Sequence, residues 1–288
     1  MSQRRLIVSG DDFGAAPEVN AGIVRAHRDG ILTSTSLMVT GDAVTEAVEL
    51  AHATPRLSVG LHLVLAQARP AAAPRDIPVL VRPDGAFGDQ PVVNGLRYAW
   101  AYCSQAGRAQ LRREVEAQLE AFAATGLRLA HVDGHLNMHL HPMVLPLLLE
   151  LAPRFGIRAM RLTREAIGPA LQYDRSNLLR KIWEGCVFSA LSAWATPRLH
   201  AAGIASADRI FGLHQTGHLD ARYLTSLIPT LPAGTSEVYC HPAAGTPAVL
   251  SRYQPGYDHI GELSALIDPR VRAAIDSTGV TLVSYRDL

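Results

Sequence analysis

Short β-like runs alternate with amphipathic helical patterns along the 288 residues of this chain. Such alternation predicts parallel strands that are joined by crossover helices. The strand candidates are Leu6–Ser9, Ser34–Val39, Leu57–Leu63, Leu129–Asp133, Ala159–Leu162, Arg209–Leu213, Glu237–Cys240 and Thr281–Ser284. About eight strands in a chain of this length predict an α/β fold of the TIM-like (β/α) barrel type, irregular or incomplete. A doubly wound open sheet is the alternative.

We expect a single domain over residues 1–288 with two insertions. The helical patterns Pro17–Arg28, Ala109–Thr125, Met143–Phe155 and Arg270–Ser277 stop at glycines, as helices commonly do. The first insertion is a long connection at about 67–107, rich in Pro, Ala and Gly. The second is helical, at about 165–205, where Asn177–Gly203 predicts one long helix or two helices broken near Pro197.

Composition excludes several classes of protein. Charged residues make up 18% of the chain and the formal net charge is +1, so the basic surface of a nucleic-acid-binding protein is not expected. The three cysteines form no CxxC pair, which favours a reduced, cytoplasmic protein. No segment has the pattern of a signal peptide or of a membrane-spanning helix.

Polar residues fall at the carboxyl ends of several predicted strands. Asp11 and Asp12 follow the first strand, His62 lies near the end of the third, and His214 and His241 follow later ones. In a parallel β/α fold these ends share one face, where barrel enzymes have their active sites. We therefore expect residues that are distant in sequence to meet in one cleft.

Two adjacent carboxylates, Asp11 and Asp12, lie between Gly10 and Gly14. One aspartate would suit a helix N-cap at this point. Two adjacent ones repel each other unless a cation or a proton is close. A metal-binding or catalytic use is therefore the preferred interpretation.

Four of the twelve histidines fall in the run from His131 to His141. His131, Asp133 and His135 are spaced by two, so they share one face if the strand continues. At most two or three side chains of the run can reach one ion, and the others, such as Asp133, His131 or His139, would orient a ligand or contact substrate.

The isolated histidines are less specific. His62 lies in an apolar strand, where a hydrogen-bonded core histidine is the common alternative. His241 precedes Pro242 and is as consistent with a loop residue as with catalysis, while His214 could line a groove or form part of a turn. Their shared position at strand ends favours the functional interpretation.

An Asp/His/His site with open positions suits a catalytic divalent ion. Such an ion lowers the pKa of bound water and polarises a carbonyl oxygen. A neighbouring free carboxylate can take the water proton, and a histidine on the same rim can protonate the leaving group. Together these groups are sufficient to hydrolyse an amide.

At these residues the chain resembles the YdjC-like carbohydrate deacetylases, which remove acetyl groups from N-acetylated sugars. The motifs are SGDDFG, GILTSTSLMV, VGLHL, HVDGHLNMHLHP and CHP, in this order over nearly the whole chain. The resemblance implies a barrel-like fold, often a homodimer, one metal ion on Asp12, His62 and His135, Asp11 as general base and His241 as general acid. Gly134 and Asn137 depart from residues common in the family, without affecting those ligands.

Further segments, among them APEVNAGIVRAHRDG, LRYAW and FGLHQTGHLD, resemble the family branch that is associated with hopanoid biosynthesis. That branch implies an amphiphilic substrate, an N-acetylglucosaminyl hopanoid. Peripheral contact with the inner membrane is expected only if the helix at Asn177–Trp194 is exposed, and its polar face is not rich in Lys or Arg. Tyr98, Trp100 and the helix at Asn177–Trp194 are candidates for an apolar groove; internal packing or a dimer interface is the alternative.

Other functions remain open at this stage. A soluble chito-oligosaccharide is the second candidate substrate. A phosphoesterase or another amidohydrolase would use a similar barrel, with two ions in the phosphoesterase case. A glycolipid-binding protein with a structural ion is the non-catalytic alternative. Zinc suits two imidazoles and a carboxylate best, and magnesium, cobalt or nickel are the other candidates.

Overall fold

The computed structural model of the protein describes residues 3–246 and 248–288. Seven strands form one sheet in these ranges: β1 (Arg4–Phe13), β2 (Ser34–Leu37), β3 (Ser58–Leu63), β4 (Val132–Gly134), β5 (Arg209–Phe211), β6 (Gly234–Cys240) and β7 (Thr281–Leu282). All pairings are parallel, in the order β4-β3-β2-β1-β6-β5, with β7 beside β1. The predicted parallel α/β architecture is therefore confirmed.

The sheet curls towards closure instead of remaining open. A parallel bridge joins Met160 to Val132 of β4, and another joins Ala159 to Ala205. Since Ala205 lies shortly before β5, which pairs with β6, the two edges of the sheet approach each other through this segment. The result is an incomplete TIM-like barrel. The predicted strand Ala159–Leu162 is reduced to these bridges.

Helices connect the strands and cover the outside of the sheet. They are α1 (Pro17–Asp29), α2 (Val44–His52), α3 (Pro91–Tyr102), α4 (Gln105–Ala124), α5 (Leu145–Phe155), α6 (Ile167–Tyr173), α7 (Leu178–Ala201), α8 (Ala221–Leu227), α9 (Ala248–Tyr253), α10 (His259–Leu266) and α11 (Pro269–Thr278). Short 3₁₀ turns occur at Pro74–Asp76, His135–Leu140, Ile228–Thr230 and Tyr285–Asp287.

Local sequence explains where these helices begin and end. Helix α1 begins with Pro17, whose fixed φ suits the first helical position, and it buries Val19 and Ile23 towards the sheet. Helix α5 ends at Gly156, which adopts a φ of 68°, a left-handed conformation that glycine accepts without strain. Apolar periodicity and caps therefore predict these elements correctly.

The two expected insertions differ from their sequence patterns in detail. The connection at 67–107 contains α3 and the start of α4, so only its first part is irregular. The Asn177–Gly203 segment forms one helix, α7, which continues through Pro197. Asp11 and Asp12 lie inside β1, at its carboxyl end, because the strand extends to Phe13.

One large cluster of buried apolar side chains extends from Leu6 to Val280 and includes residues from most of the helices. None of the helices in the described ranges has the length and hydropathy needed to cross a membrane. The carboxyl ends of β1, β3, β4 and β6 meet at one rim of the sheet, which carries the polar residues described next.

Buried Glu114 of α4 fixes the irregular segment after β3. Its carboxylate oxygens accept N–H bonds from Ala71 and Ala72, each at 2.9 Å, and a third bond from Gln118 at 2.7 Å. Burial raises the pKa of Glu114 to about 7, although these hydrogen bonds act in the opposite direction. The burial of Glu114 is thus costly, and its hydrogen bonds to buried backbone N–H groups offset part of that cost.

We expect Glu114→Ala to lower the free energy of unfolding by about 2–3 kcal/mol, because buried N–H groups lose their acceptors. The measurement is urea unfolding followed by circular dichroism. Glu120→Ala on the same helix is the matched control: its side chain is 55% exposed and forms a surface ion pair with Arg154, so we expect a change of at most about 1 kcal/mol. Equal losses in the two variants would contradict this role.

Candidate metal centre and active-site cleft

The end of β1 brings two adjacent carboxylates to one rim. In a regular strand Asp11 and Asp12 would point to opposite faces. Here Asp12 adopts a φ of +64°, and the pairing with β2 is irregular between Gly10 and Phe13. This break in alternation lets Asp11 line the cleft while Asp12 turns towards the histidines of β3 and of the segment after β4.

Asp12, His62 and His135 form a buried cluster. Asp12 Oδ1 lies 3.3 Å from His62 Nε2 and 3.1 Å from His135 Nδ1. One donor atom from each of the three residues lies within 4.8 Å of the others. One carboxylate and two imidazoles at this separation fit the donor set of a divalent transition-metal ion.

A separate side chain holds each of these three residues. Gln254 Nε2 donates to Asp12 Oδ2 at 2.7 Å. Asp133 Oδ1 lies 2.8 Å from His62 Nδ1, and Gln67 Oε1 lies 3.0 Å from His135 Nε2. Both contacts occupy the ring nitrogen that faces away from the cluster, which fixes the tautomer suitable for metal binding.

The electrostatic field at this cluster favours a cation. Burial opposes ionisation, but His135 and His62 hold the pKa of Asp12 well below its usual value. Burial also disfavours charge on His62, yet Asp133 and Asp12 raise the pKa of His62 to about 10. Asp133 has its own pKa held well below normal against burial by Arg161 and His62. The carboxylates thus outweigh desolvation and create a negative potential.

Arg161 was not predicted from the sequence, and it is the centre of the charge network inside the barrel. Its guanidinium is 1% exposed and binds Asp11 through two hydrogen bonds, at 2.6 and 2.8 Å. It forms ion pairs at 2.9 Å with Asp133 and Glu237, and its carbon lies 4.6 Å from the Tyr239 ring centroid. An arginine inside the predicted strand Ala159–Leu162 was the available signal, because such a residue needs carboxylate partners.

Arg161 also distinguishes between two possible metal sites. Asp11, His62 and Asp133 form a second group of compatible geometry. However, Asp11 and Asp133 already share the guanidinium, whereas the Asp12 group contacts no positively charged Arg or Lys in the described ranges. The first group is therefore the better candidate for an ion.

A cleft of about 620 Å³ opens onto this rim. Its polar floor includes Asp11, His62, His135 and His241. Its two walls are largely apolar and belong to α3 (Pro91, Val92, Leu96, Ala99) and α7 (Trp183, Val187, Phe188, Leu191), and α7 also contributes the charged side chains of Arg180 and Glu184. A polar floor with apolar walls is typical of a small-molecule site.

His241 follows β6 and reaches the cleft from the side opposite β4. Its ring packs edge-on against Tyr239 and Tyr257, with centroids 6.0 and 5.4 Å away. Burial lowers the pKa of His241, although Asp12 and Asp11 act to raise it. A lowered pKa makes the protonated imidazole a stronger acid, so a proton that His241 carries is readily passed to a bound molecule.

The remaining predicted site residues lie outside the cleft lining. His131 stacks on Tyr285 with centroids 3.8 Å apart, and buried His139 contacts the Arg161 carbonyl at 3.0 Å. His214 is buried beneath α7. These residues support the site instead of facing it.

The two aromatic residues predicted on α3, Tyr98 and Trp100, lie in different environments. Tyr98 is fully buried and donates a hydrogen bond to the Leu65 carbonyl, so it supports the α3 wall from behind. Trp100 is 72% exposed and does not line the cleft. Of the two alternatives that the sequence left open, Tyr98 therefore has the internal packing, and the cleft wall consists of the neighbours of these two residues on α3.

Comparisons with known proteins agree along the whole chain. A model of the family described as YdjC-like protein matches residues 5–277. The carbohydrate deacetylase of Geobacillus stearothermophilus is 33% identical, and the alignment covers 99% of this chain and 98% of that protein. The chitooligosaccharide deacetylase of Escherichia fergusonii is 27% identical, with 99% and 100% covered.

A solved structure supports the fold. A protein of Enterococcus faecalis V583, described as a candidate for cellobiose-phosphate cleavage, has a TM-score of 0.77 and 26% identity to this chain. The superposition covers 99% of both chains. The curled parallel sheet with its surrounding helices is therefore shared over the full length.

We expect Asp133→Asn to weaken zinc binding about 10–100-fold, because His62 loses the carboxylate that orients it. The measurement is a competition titration against a chromophoric chelator. Glu237→Gln is the matched control, since Glu237 also pairs with Arg161, and its other partner is Tyr285 instead of one of the three proposed ligands. The prediction is wrong if the two variants have the same zinc affinity.

Proposed function

Because the chain belongs to the YdjC-like protein family, we propose that it is a metal-dependent hydrolase that removes the acetyl group from an N-acetylated sugar. One observation carries the proposal: Asp11, a carboxylate outside the ligand set, lines the cleft beside the buried Asp12, His62 and His135 group. The two full-length relatives are named as deacetylases of carbohydrate and of chitooligosaccharide, which supports the same reaction.

Asp12 Oδ1, His62 Nε2 and His135 Nδ1 would hold the ion, zinc in preference to magnesium, cobalt or nickel. A divalent ion supplies Lewis acidity, which lowers the pKa of water and polarises an acyl oxygen. Gln254, Asp133 and Gln67 keep the three donor atoms aimed at one point. One ion is proposed because Asp11 and Asp133 are already ion-paired with Arg161, which argues against a two-metal phosphoesterase.

Asp11 is the proposed general base, and its carboxylate accepts the proton of the attacking water. The bidentate contact with Arg161 fixes the plane of that carboxylate. His241 is the proposed general acid, which donates a proton to the departing nitrogen, because an amine anion leaves very poorly. A base and an acid on the same cleft argue against a binding protein with a structural ion.

The apolar walls favour an amphiphilic substrate. Val92, Leu96 and Trp183 line the cleft and are 73%, 68% and 68% exposed, and Leu179 beyond them is 84% exposed. A sugar headgroup would reach the polar floor while an apolar aglycone lies between α3 and α7, and a glycosylated hopanoid has this character. The same exposed rim would let the protein rest on a lipid surface, and dimerisation through it is the competing use.

A soluble chito-oligosaccharide is the second candidate substrate. The name of the Escherichia fergusonii relative favours it. Arg180 and Glu184 on α7 are the wall side chains suited to bind sugar hydroxyls, whereas the other wall residues named above are apolar. Direct comparison of the two substrates therefore decides between them.

We expect Asp11→Asn to lower acetate release about 10²–10⁴-fold, because the general base is lost, while zinc binding is retained. Acetate is measured by a coupled enzymatic assay, and bound zinc by elemental analysis. Unchanged acetate release from this variant would remove Asp11 from the mechanism.

We expect the zinc-loaded protein to deacetylate octyl N-acetylglucosaminide at least about tenfold more efficiently than diacetylchitobiose, since each buried methylene contributes about 0.8 kcal/mol. Mass spectrometry of the two products measures this. Leu96→Asn should reduce the preference, because Leu96 lines the cleft.

Leu179→Asn is the matched control, because Leu179 is exposed on α7 without lining the cleft. It should keep the preference for the dissolved octyl glycoside, and it should lose activity on the same headgroup embedded in lipid vesicles. A wild-type preference for diacetylchitobiose would overturn the amphiphilic substrate in favour of the chito-oligosaccharide.

A further inference from the structure

Helix α10 holds the main chain of His241 from both sides. The His241 N–H donates to Glu262 Oε2 at 2.5 Å. The His241 carbonyl lies 2.7 Å from His259 Nδ1, which donates to it. Glu262 and His259 are 1% and 5% exposed, so these contacts are shielded from competition by water.

The second oxygen of Glu262 extends the contact to another loop. Glu262 Oε1 accepts from the Leu219 N–H at 3.1 Å, and the Gly217 N–H also bonds this carboxylate. Tyr257, which flanks the His241 ring, packs on Gly217 and bonds the side chain of Thr216. One buried carboxylate thus joins His241 to a loop that lines the cleft through Leu213 and Thr216.

The ring of His241 has little else to orient it. Its Nδ1 is buried and has no hydrogen-bond partner within residues 3–246 and 248–288. The usual carboxylate that orients a catalytic imidazole through this atom is therefore not what aims the ring. Its direction follows from the backbone, which α10 holds, and from the edges of Tyr239 and Tyr257.

We propose that Glu262 and His259 are positioning residues that aim His241 at the leaving nitrogen. The inference rests on the proposed function, in which His241 is the general acid. An acid that is displaced by a fraction of an ångström loses much of its effect on the step that needs the proton. The other steps do not depend on the direction of this ring.

Glu165 offers a matched comparison within the same fold. It is 4% exposed, and its carboxylate accepts N–H bonds from His214, Leu213 and Gly212. Burial raises the pKa of both Glu165 and Glu262 to about 7. Glu165 is therefore as buried as Glu262 and also accepts from backbone N–H groups, but those groups belong to residues 212–214 instead of to His241.

The test uses two substrates that differ in their need for an acid. An N-acetylglucosaminide releases an amine and requires a proton from the acid, whereas 4-nitrophenyl acetate releases a phenolate that departs without one. The purified zinc-loaded protein is assayed on both substrates, and the readout is the ratio of the two kcat values. A loss of folding or of zinc lowers both values and leaves their ratio unchanged.

We expect His241→Ala to lower kcat for the amide about 100-fold and to change kcat for the ester less than about threefold. Glu262→Gln should lower kcat for the amide about tenfold, because its N–H₂ group then faces backbone N–H donors. KM for the amide and kcat for the ester should stay nearly constant. Glu165→Gln should leave the ratio of the two values unchanged.

His259 provides an independent pair of variants if Glu262→Gln does not fold. His259→Asn keeps a donor for the His241 carbonyl and should retain the amide-to-ester kcat ratio. His259→Phe removes that donor and should lower the ratio. The positioning role alone would be overturned if His241→Ala changes the amide-to-ester kcat ratio while Glu262→Gln and His259→Phe both leave it unchanged. If His241→Ala lowers the amide and ester activities equally, His241 is not the general acid, and the positioning role of Glu262 and His259 is overturned with it. The deacetylase function is tested separately, by acetate release from the unaltered protein.

Discussion

The fully buried guanidinium of Arg161 is the interaction on which the rest of the site depends. It forms ion pairs with Asp11, Asp133 and Glu237, so carboxylates from β1, β4 and β6 can share the interior of one small barrel. Without a cation there, these groups would repel one another in a medium of low dielectric. The same contact leaves Asp11 oriented on the cleft side and lets Asp133 hold His62.

Beside Arg161, the site consists of the proposed metal ligands, the side chains that hold them and the cleft walls. Asp12, His62 and His135 form the cluster that suits an ion, and Gln254, Asp133 and Gln67 each hold one of them. Side chains that are locked by partners lose little entropy when a ligand binds, so the cluster is pre-organised. Beyond it, α3 and α7 supply apolar walls that give the cleft its amphiphilic character.

Sequence and structure agree best where the signal is local. The alternation of strands and helices, the glycine at the end of α5 and the placement of His62 at the end of β3 follow from periodicity and capping. They diverge where the position of a side chain depends on which other elements pack against its helix. Tyr98 and Trp100 belong to one aromatic motif, yet one is in the core and the other in solvent. The spacing of residues along a helix does not tell which of its faces meets a neighbour.

The sequence by itself determined the parallel fold, the rim of the sheet that bears the polar residues, and the resemblance that named Asp11, Asp12, His62, His135 and His241 as site residues. Each of these depends on short-range pattern or on motif order. Only the tertiary structure decided that Arg161 is the counter-charge of Asp11, that Gln67 and Gln254 hold His135 and Asp12, and that α10 holds the backbone of His241. These contacts join residues from separate loops and strands, and they exist only because the curled sheet brings its strand ends to one place.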